Sequence, residues 1–257
     1  SATSAAYVAQ HNFADGPPMT VLNSLGLSWA YTGAVLGSGT TGAVYTFEAS
    51  NGLLAAVKFV HTNALSQWRT KQLELETSIW ASLDNENLVK MLSLHVLDPY
   101  VVCFSEMLED GDLRDHLQEH GTFSEAETQA VMSQVLSGIK ELHAHGIVHR
   151  DLKPENIVCT FGEKPVYKVC DFGFAKQLDT DMSSPNLTTP CGSRGFVAPE
   201  VLMHKYTTKA DMYSLGVVLH VLLVGDIPYD VSPDDARDPE HLLGQMRRPG
   251  TAWRRAL

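Results

Sequence analysis

The chain has 257 residues, 44% of them apolar and 19% charged, the balance of a soluble globular protein long enough for one large domain or two lobes. Its formal net charge of −11 argues against a nucleic-acid binder that works through phosphate contacts, and it draws basic protein partners only weakly. The longest apolar run, LGVVLHVLLVG at Leu215–Gly225, is interrupted by His220 and is shorter than the ~20 residues of a membrane span, so it reads as a buried helix.

Residues Ser1 to about Ser28 are small, polar and punctuated by DGPP at Asp15–Pro18, the texture of a loosely ordered extension. From Trp29 onward, apolar and small residues alternate, which predicts two strands flanking a glycine loop. Asn51–Gly52 then turns the chain into a third strand, Leu53–Val60. Ser66–Leu83 is helical in period, with Leu73, Ile79, Trp80 and Leu83 able to share a face. NLVKMLSLHVL and YVVCFSEML read as further strands. A long helix opens with Ser124 and Glu127 in capping-box spacing and closes at Gly146. The expected organisation is an extension over 1–28 and a domain over 29–257, strand-rich to about 108 and helical from about 109.

Cys103, Cys159, Cys170 and Cys191 show no CxxC spacing and lie in or near apolar stretches, as reduced, packed thiols do. A reducing compartment follows, cytoplasmic by default. SATSAAYVAQ lacks acidic residues, so the stub of a removed targeting peptide and an organelle interior stay open as the alternative.

HGIVHRDLKPEN, His145–Asn156, packs His149, Arg150, Asp151, Lys153, Glu155 and Asn156 between an apolar helix and the strand-like NIVCT. Polar groups wedged between core elements must find partners or be functional. GSGTTGAV supplies Gly37, Gly39 and Gly42, which fits either an ordinary glycine-rich hairpin or a loop whose backbone amides close over phosphates. Lys58 stands inside the apolar strand AAVKFV, where it must snorkel outward or meet an anion such as Glu74 or Glu76. Asp151 and Asp171, 20 residues apart, each end an apolar stretch. One carboxylate can accept a hydroxyl proton, while the other, with the amide oxygen of Asn156, can hold Mg²⁺, and Lys153 adds a cation for a moving phosphoryl group.

In the order GSGTTGAV, AVK, HRDLKPEN, DFG and APE, over Tyr31 to about Tyr229, the sequence resembles a eukaryotic-type protein kinase of the serine/threonine subtype, calcium/calmodulin-dependent-like or basic-directed. The resemblance implies an α+β, bilobal fold, β-rich then mainly α-helical, with ATP in the cleft and Mg²⁺ as cofactor. It implies that Gly37, Ser38, Gly39, Thr40, Thr41 and Gly42 cover the phosphates and that Val44 and Ala56 flank adenine. Glu106–Leu108 would be the hinge, Ser105 the gatekeeper, and Asp112 and Val158 further nucleotide contacts. Lys58 would grip the α- and β-phosphates and pair with Glu76. Asp151 would be the base, Lys153 the γ-phosphate contact, and Asn156 and Asp171 the Mg²⁺ ligands. Lys153 and Ser193 mark the serine/threonine type. Arg150 marks an activation segment ordered by phosphorylation at Thr189, with Thr188, Ser183 and Ser184 behind it. Asp112 and Glu155 match positions that meet substrate arginines, making a basic protein substrate the expected partner, although Val221 replaces a further acidic position.

Three departures carry expectations of their own. Trp80 replaces a smaller apolar residue, which predicts a displaced helix and an inactive resting state. Tyr213 replaces the usual Trp after Asp211. The sequence stops at Leu257, soon after GDIPYD, where the family's helical lobe continues. Glu200 of APE would then need Arg247, Arg248, Arg254 or Arg255, or the lobe a partner to complete it. A pseudokinase scaffold is the alternative function that Trp80 and the shortened end raise.

Overall fold

A computed structural model describes residues 16–24, 26–38, 42–65, 67–173, 175–177, 192–193, 195–203, 206–231 and 239–247, with backbone alone for 64, 67–69, 72, 177 and 239. Gly39, Thr40, Thr41, Ser183, Ser184, Thr188, Thr189, Cys191, Arg248, Arg254 and Arg255 lie outside the described residues, as does 1–15 of the expected extension. The chain divides into two compact units, one reaching Ala81 and resuming over Val89–Met107, the other formed by Ser82–Leu88 and the chain from Leu108.

The first unit is an antiparallel sheet in the order β1-β2-β3-β5-β4, built from β1 (Trp29–Ser38), β2 (Gly42–Ala49), β3 (Leu54–His61), β4 (Met91–Leu97) and β5 (Tyr100–Glu106). The Asn51–Gly52 turn joins β2 to β3, with Gly52 N–H donating to Ala49 O at 2.9 Å. Strand alternation puts Tyr45, Phe47, Val57, Phe59, Val102 and Phe104 on one face, all buried. Their rings interlock: Tyr45 meets Phe59 edge-on at 5.8 Å, and Trp29 lies 5.4 Å from Phe104.

This aromatic face is not left to water. Within the stretch expected to be loosely ordered, Met19–Ser24 forms the helix α1, and its Leu22 is buried among Phe47, Phe59 and Phe104. The expectation of a loose extension is thereby corrected for this part. A polar, proline-punctuated sequence hid a short helix held by tertiary contact rather than by propensity. Leu22→Ala is expected to lower unfolding free energy by about 2–4 kcal/mol, and urea denaturation measures it. A loss under about 0.5 kcal/mol would mean that α1 contributes nothing to the sheet.

α2 (Gln67–Ser82) belongs to the first unit through Ala81. The second unit is mainly helical: α3 (Leu113–His120), α4 (Glu125–Ala144), α5 (Pro199–Leu202), α6 (Lys209–Val224) and α7 (Pro239–Met246), with the short strands β6 (Ile147–Val148), β7 (Ile157–Thr160), β8 (Val166–Val169) and β9 (Lys176–Gln177). The capping box forms as read: Ser124 N–H donates to Glu127 Oε2 at 2.8 Å, and Glu127 N–H to Ser124 Oγ at 3.3 Å. α4 packs on β8 and α6. A methyl group at Gly138 would stand 2.8 Å from Asn87 O, so this glycine lets α4 seat against Asn87 and Leu88. The apolar run Leu215–Gly225 falls in α6, which buries Leu215, Val217, Val218, Val221 and Leu222. Among the described residues no helix is long and apolar enough to cross a membrane.

Candidate active site

In the first unit, β1 ends on Gly37 and Ser38, which register with Val44 and Ala43 of β2. Gly42 opens β2 so close to β3 that a Cβ there would run into the Phe59 carbonyl, so its absence of a side chain has a packing cause besides any ligand. Val44, Lys58 and Cys103 lie opposite one another across β2, β3 and β5, and Ala56 lies opposite Ser105. By alternation these residues share the sheet face turned away from the aromatic cluster. Ser105 Oγ donates to Ala56 O at 3.2 Å.

Lys58 is paired: its Nζ stands 2.8 Å from Glu76 Oε1, with side chains 31% and 12% exposed. Helical phase selects Glu76, since Glu74 points outward and is exposed. Burial pushes the neighbouring Cys103 thiol up to about 12, so it stays protonated. Trp80, one turn beyond Glu76, does not hold the helix away. Its indole N–H donates to Val89 O at 2.6 Å, and the buried ring leaves the Lys58–Glu76 pair closed. The expected displacement of this helix is corrected, because the large ring brings a donor that finds its own acceptor. At the end of β5, Glu106 N–H donates to Lys90 O at 3.0 Å and Lys90 N–H to Glu106 Oε1 at 2.7 Å. The chain passes from one unit to the other between Met107 and Leu108.

In the second unit, β6 leads into His149, Arg150 and Asp151. Asp151 is 3% exposed and saturated with donors. Its Oδ1 accepts from Ser193 N at 2.8 Å and Ser193 Oγ at 2.9 Å. Its Oδ2 accepts from Lys153 Nζ at 2.8 Å and Asn156 Nδ2 at 3.1 Å. Lys153 Nζ also donates to Ser193 Oγ at 2.7 Å. Burial is the largest influence on this carboxyl and pushes it up, but Lys153, Ser193 and His149 together outweigh it and hold it below its ordinary range. Asp151 is therefore an ionised, oriented acceptor. Ser193 is brought there by Gly192, at φ 100°, whose missing side chain admits Arg150 O at 2.5 Å from the would-be Cβ.

The β7–β8 hairpin joins the two expected metal ligands. Ile157 registers with Val169, and Cys170 N–H donates to Asn156 O at 3.0 Å, which sets Asp171 next to Asn156. Both Asn156 Nδ2 bonds run to Asp151, one to its carbonyl at 2.8 Å, leaving the amide oxygen as the group to offer a cation. Asp171 is exposed and sits at φ 58°, a sparsely populated region for a residue with a Cβ. A carboxylate and an amide oxygen are hard donors of the kind Mg²⁺ takes. Asp112 bridges Val158 by backbone and caps α3 through its side chain.

Sequence reasoning missed the anchor beneath this loop. Asp211, fully buried in α6, accepts from His149 N and Arg150 N, both at 2.9 Å, and lies 2.8 Å from His143 Nε2. An acid inside an otherwise apolar helix was the available signal. Arg150 Nη1 donates to Tyr206 OH at 3.2 Å. Tyr213 packs against the cluster of Val201 and Tyr229, whose hydroxyl donates to Gly195 O at 2.8 Å, so the aromatic replacement is built into the packing around α5. Among the described residues Glu200 forms no ion pair with Arg247.

Residues 31–249 match the family described as Protein kinase domain. The chain is 32% identical over 200 residues to a probable myosin light chain kinase of Dictyostelium discoideum, covering 77% of this chain and 56% of that protein. It is 39% identical over 163 residues to ribosomal protein S6 kinase alpha-3 of Homo sapiens, covering 62% and 22%. It is 33% identical over 223 residues to calcium/calmodulin-dependent protein kinase type 1 of Caenorhabditis briggsae, covering 85% and 61%. The chain thus spans about half the length of the Dictyostelium relatives it matches, 56% of one and 44% of another. By this match over most of its length, the chain belongs to the eukaryotic-type protein kinase family.

Proposed function

We propose that the chain is an ATP- and Mg²⁺-dependent protein kinase that transfers the γ-phosphate to serine or threonine. The observation that carries this reading is Asp151, ionised and held by Lys153, Asn156 and Ser193 within 3.1 Å. In this reading Asp151 accepts the proton of the acceptor hydroxyl, and Lys153 steadies charge on the transferring group. Lys58, positioned by Glu76, contacts the α- and β-phosphates, and the loop from Gly37 to Gly42 covers them. Asn156 and Asp171 would hold Mg²⁺, which when bound neutralises phosphate charge. Val44, Ala56, Glu106, Leu108, Asp112 and Val158 would contact the nucleotide. Relatives named for myosin light chain and ribosomal protein S6 support a protein as acceptor. The Lys153–Ser193 pairing supports the serine/threonine subtype.

The pseudokinase alternative drew on Trp80 and on the early stop at Leu257, and the closed Lys58–Glu76 pair speaks against the first of these. Saturating ATP with Mg²⁺, at about 100 times Kd, is expected to raise the melting temperature by roughly 5–10 °C. Asp171→Ala should lose the Mg²⁺-dependent part of that rise. An unchanged melting temperature in the parent chain would contradict nucleotide use.

A further inference from the structure

We propose that Arg114 is a specificity-determining residue: its guanidinium occupies Glu155, the carboxylate a basic substrate side chain would otherwise take, and so weakens selection for arginine near the phosphoacceptor. The inference rests on the kinase reading of Asp151.

The turn Pro154–Asn156 begins three positions after Asp151, and Lys153 and Asn156, the residues that bracket Pro154 and Glu155, both donate to Asp151 Oδ2, at 2.8 and 3.1 Å. Glu155 is four positions beyond Asp151, which limits their Cα spacing to about 14 Å, and the tight helical turn shortens it further. A peptide presenting its hydroxyl to Asp151 advances roughly 3.3 Å per residue, so a long side chain two or three residues away comes within reach of Glu155.

That carboxylate is already taken. Arg114 Nη1 stands 3.2 Å from Glu155 Oε1. The reach is set by Asp112, whose carboxylate accepts from Arg114 N at 2.9 Å and Asp115 N at 3.0 Å, fixing the first turn of α3 where it packs on the Pro154–Asn156 turn. The surroundings are acidic. Burial pushes the Asp112 carboxyl up, and the charges of Asp115 and Glu155 add to the rise. A cation is favoured in this neighbourhood, and Arg114 supplies it from within the chain. Both members of this acidic pair therefore have internal duties, Asp112 as a helix cap and Glu155 as an arginine partner.

Exposure sets the size of the effect. With side chains 57% and 31% exposed, the Arg114–Glu155 pair is weak and solvent-screened, so a substrate guanidinium can displace it. Masking of this kind changes selectivity about two- to fivefold rather than blocking it.

The test uses serine peptides identical except for one Arg or Ala at each of the three positions before and after the serine. Binding by isothermal titration and turnover are both measured for the parent chain, Arg114→Ala, Arg114→Gln and the double variant Arg114→Ala with Glu155→Gln. The Kd ratio of the Ala over the Arg peptide is expected to rise two- to fivefold in both Arg114 variants, at one position or more. In the double variant the rise should vanish. An unchanged ratio, or a rise that survives Glu155→Gln, overturns the inference. If the binding ratio shifts as expected but no form transfers phosphate, the masking stands and the kinase reading is the part that fails.

Discussion

Lys58→Met is expected to lower kcat/KM for phosphate transfer by about 10²–10³-fold, the usual loss when one preorganised cationic or hydrogen-bonding group is removed from developing charge. The methionine keeps the length and apolar stem of the side chain, so β3 should hold its register with β2 and β5. Stability is expected to move little, because a pair with Lys58 31% exposed contributes at most about 1 kcal/mol. Glu76 acts through Lys58, which gives the prediction a second edge. Glu76→Gln should cost less than Lys58→Met, and combining the two should cost no more than Lys58→Met alone, since the positioning residue has nothing left to position. Steady-state kinetics with a melting curve for each variant decides it. Full activity in Lys58→Met, with unchanged melting, would remove Lys58 from the mechanism.

The second large effect falls on stability. Asp211→Ala is expected to lower unfolding free energy by about 3–5 kcal/mol, the range for breaking a buried charged network from one side. The carboxylate is 0% exposed and satisfies the backbone N–H groups of His149 and Arg150 together with the His143 ring. Alanine leaves both backbone donors buried and unpaired, at about 1–3 kcal/mol each. It also releases Arg150 from φ 70°, a conformation the surrounding bonds must impose. Asp211→Asn, which keeps one oxygen acceptor, should lose less. Since whole domains are stable by only about 5–15 kcal/mol, recovery of Asp211→Ala solely as unfolded protein agrees with the prediction. A loss below about 1 kcal/mol in urea would contradict the anchoring role.

How much of this was legible in the sequence depends on the range of each interaction. Short-range signals read correctly: the Asn51–Gly52 turn, the Ser124–Glu127 capping box and the apolar run that became α6 all act within a few residues. The polar cluster HRDLKPEN was also visible, because its groups satisfy one another locally, Lys153 and Asn156 both reaching Asp151. Long-range partners were not. Trp80 looked obstructive because Val89 O, its acceptor, is supplied by the chain beyond the helix. α1 looked loose because Leu22 finds its aromatic neighbours in strands further on. Asp211 is joined to His149 across 62 positions and Arg114 to Glu155 across 41, distances over which no local pattern carries information.

In the proposed reaction Asp151 accepts the proton of the hydroxyl, and Asn156 with Asp171 supplies the metal-holding oxygens. Transfer of radiolabelled γ-phosphate from ATP to a basic protein, in the presence of Mg²⁺, tests it most directly, with Asp171→Ala as the paired control. Labelling by the parent chain is expected, with at least about 10²-fold less by Asp171→Ala. Equal labelling by the two forms, or none by a folded parent chain, would contradict it.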